Sequence, residues 1–83
     1  MHQSEIEARI KDLLSVGLRI KKSSIGVQSR LIDDLGMDSV DAVEMCMAIE
    51  DAFDIEIPDE DFTKTVIVQD IIEYVAKTIG VNQ

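Results

Sequence analysis

The amino-acid sequence predicts an all-α fold, a small antiparallel bundle of three main helices plus one short helix. Its 83 residues leave room for one modest hydrophobic core. Apolar side chains recur at helical spacing over residues 5–16, 39–53 and 68–79. No stretch carries a clear strand pattern. We therefore expect residues 1–83 to fold as a single helical domain.

The first helix is predicted over residues 5–16. Ser4 and Glu7 fit a capping box, with Ser4 as the N-cap and Glu7 three residues later. Gly17 is then a suitable C-cap. The core-facing stripe of this helix consists of Ile6, Ile10, Leu13 and Leu14.

Residues 17–38 form a long connection with no sustained period. Its residues Leu31, Ile32 and Leu35 are apolar, and we expect them to anchor it to the core. A connection of about twenty residues is uncommon in a compact domain and is usually functional or poorly ordered.

The second helix is predicted over residues 39–53. Asp38 or Ser39 can cap its N-terminus, and Asp41 and Glu44 lie near the positive end of the helix dipole. At about 100° per residue, one face of this helix is wholly apolar. That face should pack on the core through Ala42, Met45, Cys46, Ile49 and Phe53.

The opposite face of the second helix combines apolar and acidic residues. Val40, Val43 and Met47 lie there, and carboxylates interrupt them. Burying unpaired carboxylates is costly, so this face should stay in water. Exposed apolar side chains within a charged rim are typical of a protein-docking surface. The carboxylates belong to Glu44, Glu50, Asp51 and Asp54.

Two further helices complete the prediction. Pro58 stands just before a helix start, and residues 59–62 can form a short helical turn. The last helix is predicted over residues 68–79, with Lys77 in its final turn and Gly80 just past its end.

The net charge of −9 is unevenly distributed. Residues 1–30 carry +3, residues 31–63 carry −12, and residues 64–83 are neutral. Such an acidic segment repels nucleic acid and anionic membranes, and it attracts basic protein surfaces. The single cysteine and an N-terminus without an apolar leader favour a reducing cytoplasm, and no apolar run is long enough to span a membrane.

The sequence offers little for catalysis or for metal binding. Ser39 has no basic partner, since the only histidine, His2, lies near the N-terminus. Cys46 is at the edge of the core face and fits a packing role. With Gly36 as the required glycine of a calcium loop, position one falls on Leu31, so that pattern fails. We therefore expect no metal site and no enzymatic activity. Judged from its neighbouring residues alone, Ser39 is interpreted as no more than a helix cap.

The segment Leu35-Gly36-Met37-Asp38-Ser39-Val40 resembles the signature of acyl carrier proteins. Residues 41–53 look like the second helix of that family, and residues 54–61 look like the following turn. Residues 68–70 and 74–75 resemble the start and the middle of its last helix. The resemblance implies that 4′-phosphopantetheine, derived from coenzyme A, is attached to Ser39. Acyl groups would then be carried as thioesters on the thiol of this arm.

The resemblance also implies partners and surfaces. A phosphopantetheinyl transferase would load the arm. Ketosynthases, reductases, dehydratases and acyltransferases with basic docking surfaces would act on the cargo of a monomeric carrier. The docking residues would be Asp38, Val40, Asp41, Val43, Glu44, Met47, Glu50 and Asp51. The acyl pocket would be lined by Leu35, Met45, Ile49, Phe53, Ile57, Ile71 and Val75.

Departures from the family pattern leave alternatives open. Val40 stands where the family usually has Leu, and Val66 and Ile67 stand where a Thr pair is common, so the last helix could begin near Thr65. The acidity and the turn around Pro58 favour type II fatty acid synthesis. A dedicated carrier for a specialised lipid, polyketide or aminoacyl pathway is the first alternative. An acidic helical interaction module without a prosthetic group is the second.

Overall fold

The computed structural model describes residues 2–80 and shows a four-helix arrangement. Helix α1 spans Gln3–Leu18, and a single 3-10 turn follows at Lys22–Ser24. Helix α2 spans Ser39–Phe53, the short α3 spans Asp59–Phe62, and α4 spans Val68–Ile79. Within the described residues the only strand-like pairing is an isolated bridge between Arg30 and Ile67. The predicted all-α bundle of three main helices and one short helix is confirmed.

The ends of α1 differ from the prediction. His2 is the N-cap, and its backbone N donates to Glu5 Oε1 at 3.3 Å, so Ser4 lies inside the first turn. The helix also continues past Gly17 to a left-handed C-cap at Arg19. Gly17 therefore lies within the helix instead of ending it, with the terminal methyl group of Met45 close to the position that a Cβ would take.

The long connection between α1 and α2 is ordered by hydrogen bonds to the start of α4. Leu31 N donates to Val66 O, and the N–H groups of Val68 and Gln69 donate to carbonyls of residues 29 and 27, at 2.8–3.1 Å. Leu31 and Leu35 are buried as predicted. Ile32 is 69% exposed, so its prediction as an anchor is wrong. It lies in a turn where its two leucine neighbours take the inward positions.

Helix α4 begins at Val68 in spite of the missing Thr pair. The Asp70 carboxylate accepts hydrogen bonds from the backbone N of Val66 and of Ile67, at 2.8 and 3.1 Å, and so satisfies donors at the helix start. Gly80 ends the helix in the left-handed conformation, as predicted.

The core lies where α1, α2 and α4 meet. It is built from aliphatic side chains, with Phe62 as its one fully buried aromatic residue among those described. No polar side chain of residues 2–80 is buried. The side chains with the least exposure are Ile6, Ile10, Leu14, Leu31, Ile49, Val68, Ile71, Ile72 and Val75.

Candidate functional site

The start of α2 is capped by an aspartate pair. Asp38 is the N-cap, and its Oδ1 accepts a hydrogen bond from Asp41 N at 2.8 Å. Asp41 Oδ2 accepts in return from Asp38 N at 3.2 Å. This reciprocal pair satisfies two backbone donors at the helix start. Of the two capping candidates that the sequence offered, Asp38 therefore takes the role.

Ser39 follows the cap as the first residue of α2, and it is exposed. None of the hydrogen bonds formed by residues 2–80 engages its hydroxyl group. The side chain therefore caps nothing and packs into no core. An exposed hydroxyl group at a well-fixed helix start is accessible to a modifying enzyme, and its modification would cost no structural contact.

An apolar pocket of about 620 Å³ opens beside Ser39. Helix α2 forms one side of it, the long connection another, and α3 the third. Ile32 and Val43 are exposed at its rim, and Cys46 and Phe62 are buried at its floor. Its size and its lining suit an apolar guest of moderate length. The lining residues are Ile32, Met37, Asp38, Ser39, Ala42, Val43, Cys46, Asp59, Phe62 and Thr63.

The predicted acyl-pocket residues occupy a different place. Six of them are buried in the core, and Phe53 is partly buried against it. None of the seven lines the pocket beside Ser39, so their role as a lining stays a prediction. The residues that do line the pocket were missed, with Phe62 as the largest of them. The only signal in the sequence was that Phe62 ends the short helical turn after Pro58.

The outward face of α2 has the predicted mixture of apolar and acidic groups. Val40, Val43 and Met47 are 64%, 61% and 59% exposed. Glu44 and Asp51 are exposed beside them, and no hydrogen bond or ion pair among the described residues engages either carboxylate. We call these five residues the outer face of α2.

The other predicted docking acids have structural contacts. Asp38 and Asp41 form the cap of α2. Glu50 is half-buried, and its Oε2 accepts a hydrogen bond from Ile57 N at 2.7 Å, which holds the turn after α2. These three carboxylates still contribute negative charge to the surface, but their geometry is fixed by the fold.

Few cations neutralise the acidic segment. Three ion pairs occur within residues 2–80, and two of them, Lys11 with Glu7 and Lys22 with Asp12, lie outside the acidic segment. The third joins Arg30 to Asp33 at 3.5 Å in an exposed position. The carboxylates of α2 and α3 therefore present an unbalanced negative field to solvent.

Cys46 is not placed for nucleophilic chemistry. Its thiol is buried and lies 3.7 Å from Ile57 O, to which it donates a weak hydrogen bond. Burial, together with the nearby carboxylates of Glu50 and Asp59, raises the pKa of the Cys46 thiol above its ordinary value. The thiolate form is thus disfavoured at neutral pH.

Residues 2–80 contain neither a cluster of metal ligands nor a membrane-spanning helix. No group of three or more His, Cys, Asp or Glu side chains there is placed to hold a metal ion. In the same part of the chain, every helix is too short or too polar to span a bilayer.

Comparisons with known proteins agree on one family. A family model described as "Phosphopantetheine attachment site" matches residues 8–75. An acyl carrier protein of Syntrophobacter fumaroxidans is 43% identical over 77 residues. That alignment covers 93% of this chain and 95% of the relative.

Proposed function

This chain belongs to the acyl carrier protein family, and on that basis we propose that Ser39 is its attachment site and that it serves type II fatty acid biosynthesis. It is a carrier protein and not an enzyme, and its prosthetic group is a covalently bound 4′-phosphopantetheine. This group supplies a terminal thiol on which acyl groups are held as thioesters. The alternative of an interaction module without a prosthetic group is thereby set aside.

One observation carries the assignment of Ser39. The neighbouring Asp38 caps α2, so the exposed Ser39 hydroxyl group has no structural task. A transferase can therefore join it to a phosphate of the arm without breaking a contact of the fold. The pocket beside Ser39 supports the same assignment, because an arm anchored there starts at the rim of an apolar space of suitable size.

The outer face of α2 is proposed as the docking surface for partner enzymes. These are a phosphopantetheinyl transferase and acyl-processing enzymes with basic surfaces, such as ketosynthases, reductases, dehydratases and acyltransferases. Free carboxylates accelerate the encounter with a basic surface. The small apolar patch of Val40, Val43 and Met47 adds contact area without a large buried interface. A carrier that visits many enzymes needs this combination of fast association and fast release.

The proposal for type II fatty acid synthesis is supported by the acidity of residues 31–63 and by the turn Ile57-Pro58-Asp59. We propose further that the chain acts in the cytoplasm as a monomer. Its one cysteine is buried, and its net charge of −9 opposes self-association.

The pathway is tested by offering the loaded protein to purified enzymes. The thiol-bearing carrier is incubated with malonyl-coenzyme A and a malonyl transferase, then with a type II ketosynthase and an acyl primer, and its intact mass is recorded. We expect malonylation followed by condensation to a longer acyl chain. If the carrier is not malonylated but is loaded with an amino acid by an adenylating enzyme, the result would contradict the fatty acid assignment and favour a specialised pathway.

A further inference from the structure

Helix α3 is a single turn that forms one wall of the pocket beside Ser39. Its backbone is closed by three hydrogen bonds, from the N–H groups of Asp61, Phe62 and Thr63, at 2.9–3.1 Å. One isolated helical turn is unstable in water, so contacts with the rest of the fold must hold it. The position of α3 therefore depends on its contacts with other elements of the fold.

Two adjacent residues of α3 contact the rest of the fold. Phe62 is buried and forms part of the pocket floor. Asp61 points elsewhere, and its Oδ2 accepts a hydrogen bond from the Tyr74 hydroxyl group at 2.8 Å. Within residues 2–80 this is the one hydrogen bond that joins a side chain of α3 to another helix.

Tyr74 belongs to the firmly packed helix α4. Its neighbours Val75 and Ile71 are almost fully buried, so the backbone that carries Tyr74 is fixed by the core. The Tyr74 ring is half-buried against that core. In the hydrogen bond between Tyr74 and Asp61, the position of Tyr74 is thus fixed by α4, whereas Asp61 lies on the short helix α3, which has fewer constraints.

We propose that Tyr74 is a positioning residue, which through Asp61 fixes the place of Phe62 and so limits how deeply an apolar guest enters the pocket beside Ser39. Phe62 is the nearest neighbour of Asp61 in the chain, so a displacement of one moves the other. Without the hydroxyl group of Tyr74, α3 can move outward and deepen the pocket. The identification of the guest as the acyl cargo rests on the proposed function, whereas the positioning itself does not.

The test compares Tyr74→Phe with Thr78→Ala as a matched control. Thr78 also lies on α4, and its hydroxyl group donates to Tyr74 O at 2.8 Å and forms no hydrogen bond with α3 among residues 2–80. Amide hydrogen exchange is measured on the unloaded protein. A lost hydrogen bond of ordinary strength should accelerate exchange at the amides of Phe62 and Thr63 about fivefold. The exchange rate of the Val75 amide should not change in either variant. The control Thr78→Ala should leave the exchange rates of the α3 amides as low as in the wild type.

A second pair of variants separates positioning from general stability. Asp61→Asn keeps an acceptor oxygen and should keep slow exchange in α3, whereas Asp61→Ala should reproduce Tyr74→Phe. If Tyr74→Phe fails to fold, the comparison of Asp61→Ala with Asp61→Asn decides alone. Equal acceleration at Phe62 and Val75, or an unchanged amide at Phe62, would overturn the proposal.

Guest entry is measured with the neutral dye Nile red on the unloaded protein. We expect Tyr74→Phe and Asp61→Ala to bind the dye several times more tightly than the wild type and Thr78→Ala do. If the variants bind Nile red with unchanged affinity although amide exchange in α3 is faster, the proposal that Tyr74 limits the depth of the pocket would be wrong. Because these experiments need no prosthetic group, their failure would leave the role of Ser39 untouched, and a failed attachment to Ser39 would leave them valid.

Discussion

Asp38 and Asp41 cap helix α2 reciprocally: each carboxylate accepts a hydrogen bond from the other residue's backbone N–H, at 2.8 and 3.2 Å. The pair flanks Ser39 and fixes the helix start on which it sits. It also relieves Ser39 of the capping role, which leaves the hydroxyl group accessible. Two residues that the sequence suggested as docking acids thus have a structural task of their own.

The first prediction concerns this cap. Asp38→Ala should lower the free energy of unfolding by about 1 kcal/mol, because a backbone donor at the helix start loses its acceptor. For a domain of this size that corresponds to a fall of about 4–8 °C in melting temperature. Asp38→Asn should cost much less, since an amide oxygen still accepts. Thermal unfolding followed by circular dichroism checks this. The control is Glu44→Ala, which removes an acid of α2 that caps no backbone group, and an equal fall in its melting temperature would contradict the prediction.

The second prediction concerns the outer face of α2. Glu44→Lys should slow phosphopantetheine transfer by about tenfold at low ionic strength, because it reverses a free carboxylate that would attract a basic partner. Glu73→Lys makes the same charge change on α4, away from this face, and should slow transfer less than twofold. Transfer rates measured over a series of salt concentrations check this.

Salt itself is the control for the charge effect. The difference between the two variants should shrink at about 1 M salt, where the screening length is about 3 Å. If both variants lose the same activity, or if the loss persists at high salt, steering by the outer face is not the cause.

The third prediction concerns stability and ionic strength. The chain has seventeen acidic and eight basic residues, and the carboxylates of α2 and α3 form no ion pair among residues 2–80. Screening should relieve their repulsion, so the melting temperature should rise from about 0.01 M to about 1 M sodium chloride. A variant with fewer charges, Asp51→Asn with Glu56→Gln, should show a smaller rise. A melting temperature independent of salt would contradict this.

The fourth prediction concerns pH and Tyr74. The hydrogen bond to Asp61, with burial and the Asp61 charge, raises the pKa of Tyr74 above its ordinary value. A group whose folded pKa is raised contributes stability that is complete below the unfolded pKa of about 10 and is lost as the pH rises through the folded pKa. The gap in melting temperature between wild type and Tyr74→Phe should therefore stay constant from pH 7 to 9 and narrow above about pH 10.

The comparison with Tyr74→Phe removes the effect of the neighbouring charged groups from the difference in melting temperature. Lys64 and Lys77 lie near Tyr74, and both are present in the two proteins. A gap that widens with pH, or that narrows already below pH 9, would contradict the assignment to Tyr74.

Local patterns in the sequence predicted most of the helices but not all of their ends. The bounds of α2 and α4 follow from apolar residues that recur at helical spacing and from their capping residues, and the structure places the helices at Ser39–Phe53 and Val68–Ile79 as predicted. Gly17 misled the prediction for α1, because a glycine can end a helix or lie within it. Here the helix continues to Leu18 and ends at a left-handed Arg19, which the residues around Gly17 do not indicate.

The same limit applies to the site. The exposed apolar residues of α2 follow from the helical period. Ser39 is singled out by the resemblance of residues 35–40 to the signature of the family, and its role stays a prediction. Whether Ile32 points inward depends on a turn that the sequence leaves undefined, and the structure exposes it at the pocket rim. Phe62 lines the pocket, and its neighbour Asp61 is joined to Tyr74 of α4 by a hydrogen bond, which no local pattern indicates.

The proposed attachment of the arm to Ser39 is tested by the intact mass of the protein. The mass is recorded after incubation with coenzyme A and a promiscuous phosphopantetheinyl transferase, beside a Ser39→Ala variant with unchanged circular dichroism. We expect a gain of one phosphopantetheine in the wild type and none in the variant. A gain in both proteins, or a folded wild type that gains nothing, would contradict it.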